Sequence, residues 1–540
     1  LKKIKVITLL VTAALTSAIS MNALSATITE KKSNEPFKDI QNSYAKDSII
    51  NLHSKGIMNG TTSELFSPTK KITRAEFITT LVRLLRLEPS SSMIPAYKDV
   101  APTSWYYGSI QTATELALTE GTGGAMFEPS KPITRQEAAT WIIRALKQKT
   151  TNSSSSTDYT DNSAIASWAR PYVSTITKLG LMKGSEGKFY PNQDITRQET
   201  AVLLDRLLQN NSWSTVLEST TQASKIQMGW QYGQTNEEYE QSIMKSNVNV
   251  LSPRWFFLES DKTIKDYTNS SLVTWAKKNG KKIWPLLGNR SSQETTHQFL
   301  SSSERTAAAI QKIKSLVTKY DFDGINIDFE NVLPADRENF SKFVSSLSEQ
   351  LHSIGAVVSV DVSPDLGSDW TEAFDYRLLG QKADYLVLMG YDEHWSGGST
   401  PGPVASLSWV QSGLDTLLKQ VPAEKVILAL PLYNRDWTLN RNGTAVSSED
   451  ISLVDQDEKL QRLGVRAIWD SKLGQYTGDY SKNGITHRIW LEEARSLSLK
   501  YRMATDRKIA GFAYWSIGGE TTDIWTSLRN TERYASYSFK

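Results

Sequence analysis

The chain has 540 residues, 39% of them hydrophobic and 10% aromatic, a length that holds two to four ordinary globular cores. Its formal charge of +3 is close to balance and asks for neither nucleic acid nor a charged membrane surface, and with no cysteine it has neither disulfides nor thiolate metal sites. The five histidines (His53, His297, His352, His394 and His487) are scattered without ligand spacing, so no metal and no other cofactor is expected.

In chain order, Lys2, Lys3 and Lys5 precede a mostly apolar run over residues 6–19, and Ala23-Leu24-Ser25-Ala26 ends in an A-x-A site. Residues 1–26 therefore read as a cleaved signal peptide of a secreted bacterial protein. No later stretch is long and apolar enough to span a bilayer as a helix, so no transmembrane segment is expected after cleavage.

Three repeats follow, over residues 35–88, 95–148 and 157–210. Phe37-Lys38-Asp39, Tyr97-Lys98-Asp99 and Tyr159-Thr160-Asp161 open them, and Phe66-Ser67-Pro68, Phe127-Glu128-Pro129 and Phe189-Tyr190-Pro191 mark their middles. Ile72-Thr73-Arg74, Ile133-Thr134-Arg135 and Ile195-Thr196-Arg197 start their second halves, with the arginines 61 and 62 residues apart. A fixed period of this size is one helix–loop–helix unit used three times. Thr73 with Glu76, Thr134 with Glu137 and Thr196 with Glu199 each make a T-x-x-E capping box that opens an amphipathic helix. The arginines are not explained by the box, because a cation in the first turn opposes the helix dipole. Two uses remain open for them: contact with an anionic ligand, which the helix N-terminus also favours, or an ion pair between repeats.

These units resemble S-layer homology domains, whose TRAE hallmark stands as Thr73-Arg74-Ala75-Glu76 and, less faithfully, as Thr134-Arg135-Gln136-Glu137 and Thr196-Arg197-Gln198-Glu199. The family's opening Asp matches Asp39, Asp99 and Asp161, and its Trp matches Trp105 and Trp168, with Tyr44 in the first unit. The resemblance implies a pseudo-threefold α-helical bundle that binds an anionic, typically pyruvylated, secondary cell wall polysaccharide of a Gram-positive envelope. Arg74, Arg135, Arg197, the three aspartates and the two tryptophans are the implied contacts.

Residues 211–224 are polar and pattern-poor and read as a linker. From residue 225 to 540, strand and helix alternate. Eight candidate strands (226–232, 248–257, 282–287, 323–329, 357–362, 385–390, 426–432 and 511–515), with helical segments between them, fit an α/β (β/α)8 barrel, whose active site lies at the strands' C-terminal ends. The fourth strand is the most informative. Ile325, Ile327 and Phe329 alternate with Asn326, Asp328 and Glu330, so the two carboxylates share one face about 7 Å apart. A like charge beside Glu330 disfavours its ionisation, which suits a general acid.

Asp323, Gly324, Asn326, Asp328 and Glu330 resemble the DGxDxDxE signature of glycoside hydrolase family 18, the chitinase-like barrels, with Asn326 in place of the first inner Asp. That variant resembles the peptidoglycan-directed branch, the spore germination and cortex-lytic glycosidases. The resemblance implies Glu330 as proton donor, Asp328 and Tyr391 as its catalytic partners, and the substrate's own acetamido group as nucleophile. Asp328, lacking a carboxylate beneath it, is expected to stay ionised. Met389-Gly390-Tyr391-Asp392 resembles the family's MxYD, although a Tyr-Asp pair at a strand end is also a plain turn, and Trp515 matches its floor tryptophan, although it could simply plug the barrel. Asp323, Asn326, Met389, Asp392, Trp515, Tyr433, Arg435 and Trp230 complete the expected substrate-binding set.

The expectation is thus a wall-anchored glycosidase acting on β-1,4-linked glycans that contain N-acetylglucosamine, either peptidoglycan or chitin. The alternatives are an inactive lectin-like barrel, against which the presence of Glu330 argues, and a structural surface-layer protein.

Overall fold

The computed structural model describes residues 35–150, 158–219, 225–365, 367 and 369–539; the expected signal peptide lies outside them. In the amino-terminal part, three helix pairs repeat: Lys46–Ser54 with Arg74–Leu84, Tyr107–Glu115 with Arg135–Ala145, and Arg170–Lys178 with Arg197–Gln209. All three expected capping boxes form, with each Thr side chain and each Glu side chain satisfying the other's backbone N–H.

The three repeats close into a ring. Ile72 N–H donates to Ile195 O (3.0 Å), Ile195 N–H to Ile133 O (3.1 Å) and Ile133 N–H to Ile72 O (3.1 Å). The arginines complete the same cycle. Arg74 Nε donates to Phe127 O, Arg135 Nε to Phe189 O and Arg197 Nε to Phe66 O, at 2.8, 2.9 and 2.7 Å, and each guanidinium lies 4.5–5.0 Å from the ring of that same Phe. Arg74 also pairs with Glu137, and Arg197 lies 3.6 Å from Glu76, each the capping glutamate of a neighbouring unit.

Residues 211–218, expected to be linker, instead form a helix capped by Asn210, which buries Trp213 and Leu217 against the bundle. Four-residue spacing puts these two side chains on one helix face.

The barrel follows. Strands Ile226–Gln231, Gly324–Asp328, Val357–Val362, Tyr385–Met389, Val426–Pro431 and Gly511–Trp515 are six of its eight staves. The second stave is broken into Val250–Pro253 and Phe256–Leu258, and the third into Lys282–Ile283 and Leu286–Gly288. Their lower halves pair with each other beside the first strand, and their upper halves pair with each other beside the fourth, so the parallel ladder closes. Inside, Met228, Val250, Leu286, Val387, Ile427, Ala429 and Ala513 fill the lumen, while the opposite alternates pack outward under the helices.

After the seventh strand the chain leaves the barrel to build a separate antiparallel five-stranded sheet, Tyr433–Leu439 with Ala445–Ser452, Ile468–Asp470, Gln475–Lys482 and Ile485–Leu491. Bundle and barrel are docked rather than strung apart. Tyr534, Tyr537 and Phe539, in and just beyond the last helix (Thr522–Ser536), belong to the bundle's apolar core, and Ile94 of the bundle enters the core of the inserted sheet.

Candidate active site

Asp328 ends the fourth strand, and Glu330 follows two residues later at the barrel mouth. Asn289, just beyond the third stave, holds this turn from both sides: its Oδ1 accepts Glu330 N–H (3.1 Å) and its Nδ2 donates to Glu330 O (2.7 Å). The Ser291 hydroxyl donates to Glu330 Oε2 at 2.8 Å. A carboxyl pinned at its backbone, with one oxygen engaged by a rotatable hydroxyl, is oriented without being neutralised by a fixed cation.

Beneath lies a polar layer that is fully inside the barrel. Asn326 has no exposed surface. Its Oδ1 accepts from Trp230 Nε1 (2.8 Å) and from Ser252 Oγ (3.3 Å), and its Nδ2 donates to Ser359 Oγ (3.1 Å) and Asp361 Oδ1 (2.7 Å). All four hydrogen-bonding positions of the amide are used. Asp361, on the fifth strand and 2% exposed, was not singled out from the sequence. Yet Val357–Val362 reads Val-Val-Ser-Val-Asp-Val, and the alternation that found Asp328 and Glu330 puts Ser359 and Asp361 on one inward face.

Asp361 changes the electrostatics of the site. Burial pushes its carboxyl well above the ordinary aspartate range, and the Asp328 charge adds to this. Burial, with the Glu330 charge second, pushes Asp328 up to about 8, while Arg254 opposes the rise. The expectation that Asp328 stays ionised for want of a carboxylate beneath it is therefore corrected. Asp361, on the neighbouring strand, supplies the buried acid that residue 326 lacks, and burial with mutual repulsion raises both carboxyls above the ordinary aspartate range.

Other expected positions divide. Tyr391, after the sixth strand, packs against both barrel clusters, and burial together with the Asp361 and Asp328 charges raises its hydroxyl well above the usual range. Met389 ends that strand, half-buried, beside Ala429 of the seventh. Trp515 ends the eighth strand at the mouth, with exposed Tyr232 at 5.3 Å between ring centres and Trp230 at 5.8 Å. Tyr433 lies edge-on to Tyr391 at 6.3 Å and donates to Asp392.

Four expected contacts are spent elsewhere. Asp323 precedes the fourth strand, at the end of the barrel opposite the mouth, where Oδ2 accepts Ile283 N–H at 2.9 Å. Asn326 and Trp230 are sealed in the lumen by the bonds above. Arg435 is 4% exposed and is consumed by Asp392 and Asp450, each at 2.9 Å, and by the His394 carbonyl. In each case a local motif was read as facing substrate where neighbours distant in sequence already use the side chain.

The repeats give a parallel result. Arg74 and Arg197 are 2% and 4% exposed, and the half-buried Arg135 adds a bond to Lys183 O (2.9 Å), so the ring between repeats takes the guanidinium groups. Asp39, Asp99 and Asp161 each accept two successive backbone N–H groups, those of Phe66 and Ser67, Phe127 and Glu128, and Phe189 and Tyr190. Ser67, Glu128 and Tyr190 all have φ near +57°, so the aspartates hold a turn that ordinary side chains resist. The aromatics behave differently: Trp105, Trp168 and Tyr44 are 66%, 52% and 70% exposed, a large apolar surface left open on each unit.

Against known proteins, the model of glycosyl hydrolases family 18 matches residues 230–520, more than half of the chain. The chain belongs to family 18. Its repeats match the S-layer homology domain at residues 36–78, 96–139 and 158–201, so this family 18 glycosidase carries three cell-surface anchoring domains that bind cell wall polysaccharide. The uncharacterized glycosylase YvbX of Bacillus subtilis is 28% identical over 318 residues, 57% of this chain and 91% of YvbX. The cortical fragment-lytic enzyme of Bacillus cereus is 28% identical over 285 residues, 51% of this chain and 65% of that enzyme. Among solved structures, the spore cortex-lytic enzyme SleL of Bacillus megaterium superposes with a TM-score of 0.53 at 24% identity, covering 58% of this chain and 75% of SleL, so the two share a fold.

Proposed function

We propose that the barrel cleaves β-1,4-linked glycans containing N-acetylglucosamine, of the peptidoglycan or chitin kind, with retention and with the substrate's 2-acetamido carbonyl as nucleophile. Glu330 protonates the glycosidic oxygen as the C1–O bond breaks, and the acetamido oxygen closes on C1 to give a cyclic oxazolinium. Glu330 then takes a proton from the water that opens that ring. Asp328 orients the acetamido N–H and stabilises the positive charge, and the ionised form of the buried Asp361 takes up the proton that Asp328 gives up, so that Asp328 bears the negative charge at that moment. Tyr391 donates its hydroxyl to the acetamido group. Trp515 and Tyr232 offer flat apolar faces to sugar rings.

One observation carries the choice of nucleophile. Asp392, the carboxylate that follows Tyr391 after the sixth strand, is held by the Tyr433 hydroxyl and the Arg435 guanidinium. A carboxylate engaged by two donors is a poor nucleophile. The similarity to a cortical fragment-lytic enzyme supports a bacterial glycan as the substrate. The anchor places the enzyme on a Gram-positive wall after secretion, through an anionic, pyruvylated polysaccharide. The exposed Trp105 and Trp168 support that contact.

The test uses the whole chain on chitin oligomers, partially de-N-acetylated chitin and glucose polymers. Cleavage is expected only after acetylated units, and a thiazoline mimic of the cyclised intermediate should inhibit. Cleavage after a glucosamine unit at a comparable rate would refute substrate assistance.

A further inference from the structure

Three arginines border the barrel mouth, and two of them are paired. Arg435 is held by Asp392 and Asp450, and Arg290 by Glu259 at 2.8 Å, its guanidinium lying 3.6 Å from the Phe257 ring. Arg254 is different. It sits in the break of the second stave, between Val250–Pro253 and Phe256–Leu258, and its ring contacts place it at the mouth. Its guanidinium carbon lies 5.0 Å from the Tyr232 ring, 5.4 Å from Phe257 and 6.0 Å from Trp515. Among the described residues no carboxylate is within ion-pair distance of it, and its Nε is buried without a hydrogen-bond partner. Asp328 feels its charge without bonding it.

A guanidinium held among three aromatic rings is oriented and partly desolvated, yet its fork of donors is unspent. A buried Nε–H without a partner is costly, and a ligand oxygen is the simplest group to satisfy it. The same rings that hold the cation are those on which a sugar would stack, so the partner oxygen belongs to a substituent of a bound sugar. Chitin offers only neutral hydroxyl and amide groups. A muramoyl unit without a stem peptide carries in addition a 3-O-lactyl group that ends in a free carboxyl, whose two oxygens match the planar fork.

We infer that Arg254 is a carboxylate-binding subsite that selects glycans bearing a free 3-O-lactyl acid next to the cut, so that the substrate is peptidoglycan-type strand stripped of its stem peptides rather than chitin. This rests on the N-acetylglucosaminidase reading of the same cleft.

Binding and turnover separate the two claims. Affinity of the full-length Glu330→Gln chain is measured by calorimetry for three probes: chitotetraose, the peptide-free tetrasaccharide of alternating N-acetylglucosamine and N-acetylmuramic acid, and that tetrasaccharide with its carboxyls reduced to alcohols. The acidic probe should bind about tenfold or more tighter than either neutral one, the size of a charge-assisted hydrogen-bonded pair. Adding Arg254→Met should erase that preference while leaving chitotetraose affinity within about twofold, and Arg254→Lys should keep part of it. Raising the salt should weaken only the acidic probe. Equal affinity for the three probes, or equal losses on all of them in Arg254→Met, would overturn the inference and leave Arg254 as a counter-charge for Asp328. If the acidic probe is preferred but the wild-type chain cleaves none of the three, the subsite stands and the glycosidase reading of the cleft is what fails.

Discussion

Asp361→Asn is expected to make the protein more stable and less active at once. The carboxyl is 2% exposed, accepts one hydrogen bond from Asn326, and is held by burial and by Asp328 well above the 3.8 of an ordinary aspartate. Folding therefore raises the affinity of this carboxyl for its proton, and that difference costs stability wherever the unfolded carboxyl is ionised. The cost is about 1.36 kcal/mol for each pH unit by which the pH exceeds the unfolded value, up to the folded one. Asparagine is isosteric, is never ionised, and still offers an oxygen to Asn326, so the cost disappears. The sign follows from the raised folded value: the penalty is absent below the unfolded pKa and grows as pH rises above it. Denaturant melts should therefore show the variant ahead of wild type at pH 7 and level with it near pH 4. Turnover should fall, because the amide cannot take the proton that Asp328 sheds. Combining Asp361→Asn with Asn326→Asp moves the acid to the position where family 18 usually has it, and should recover much of the lost turnover. A variant no more stable at pH 7 than at pH 4, relative to wild type, would show that folding leaves the proton affinity of Asp361 unchanged and refute the proton-accepting role.

Glu330→Gln should keep the fold and glycan binding but lower kcat by several orders of magnitude; near-wild-type turnover would remove Glu330 as the acid. Trp105→Ala with Trp168→Ala should weaken pelleting with purified cell walls without changing the melting temperature, whereas Arg74→Ala should lower the melting temperature by unpairing Glu137 and emptying the stack on Phe127 and Trp141. An Arg74→Ala protein that melts like wild type but no longer binds walls would return that arginine to the ligand. Where the bundle meets the barrel, burial raises Glu115 to about 7 and Glu493 to about 8. Both carboxyls are protonated in the fold and ionised in the unfolded chain between about pH 4.5 and these values, so stability should decline across that window, and Glu115→Gln should remove on the order of 3 kcal/mol of the decline. A flat melting temperature from pH 5 to 8 would refute this.

Patterns that close within a few residues were legible in the sequence. The T-x-x-E boxes and the eight staves depend on neighbours along the chain and are found in the expected places, with the second and third staves broken and the fourth ending at Asp328. Contacts that cross the fold were not. The repeat arginines oppose their own helix dipoles, a conflict visible in sequence, but its resolution lies on the next repeat and appears only when the ring closes. Asn326 and Arg435 look like cleft residues until the strands opposite are known to hold Trp230, Ser252, Asp361, Asp392 and Asp450. Arg254 was hidden for a different reason: the stave breaks just after Pro253, and a broken alternation gives no face to count from. Asp361 is within reach of the period-two rule, since Ser359 and Asp361 alternate with Val358, Val360 and Val362.

The way anchor and barrel meet bears on how the enzyme works on a wall. Lys147 Nζ donates to the carbonyls of Ala535 and Tyr537 at 3.1 and 3.3 Å, a cation at the negative end of the last barrel helix. Asn530 exchanges bonds with the Glu88 backbone, and the Tyr534 and Tyr537 hydroxyls donate to Arg144 O and Leu85 O. These bonds tie the first two repeats to the helix that follows the eighth strand, while Ile94 packs into the inserted sheet that follows the seventh. A catalytic domain on a flexible tether would sample many strands around its anchor. One fixed by a shared apolar core presents its mouth at a set angle to the polysaccharide its repeats hold, and the entropy of orienting it is lost once, during folding, rather than at every encounter with a glycan. The same docking means that cutting the chain between residues 219 and 225 would strip apolar cover from Tyr534, Tyr537 and Phe539 and leave the buried Glu493 facing water, so the catalytic behaviour of the barrel is properly measured with its anchor in place.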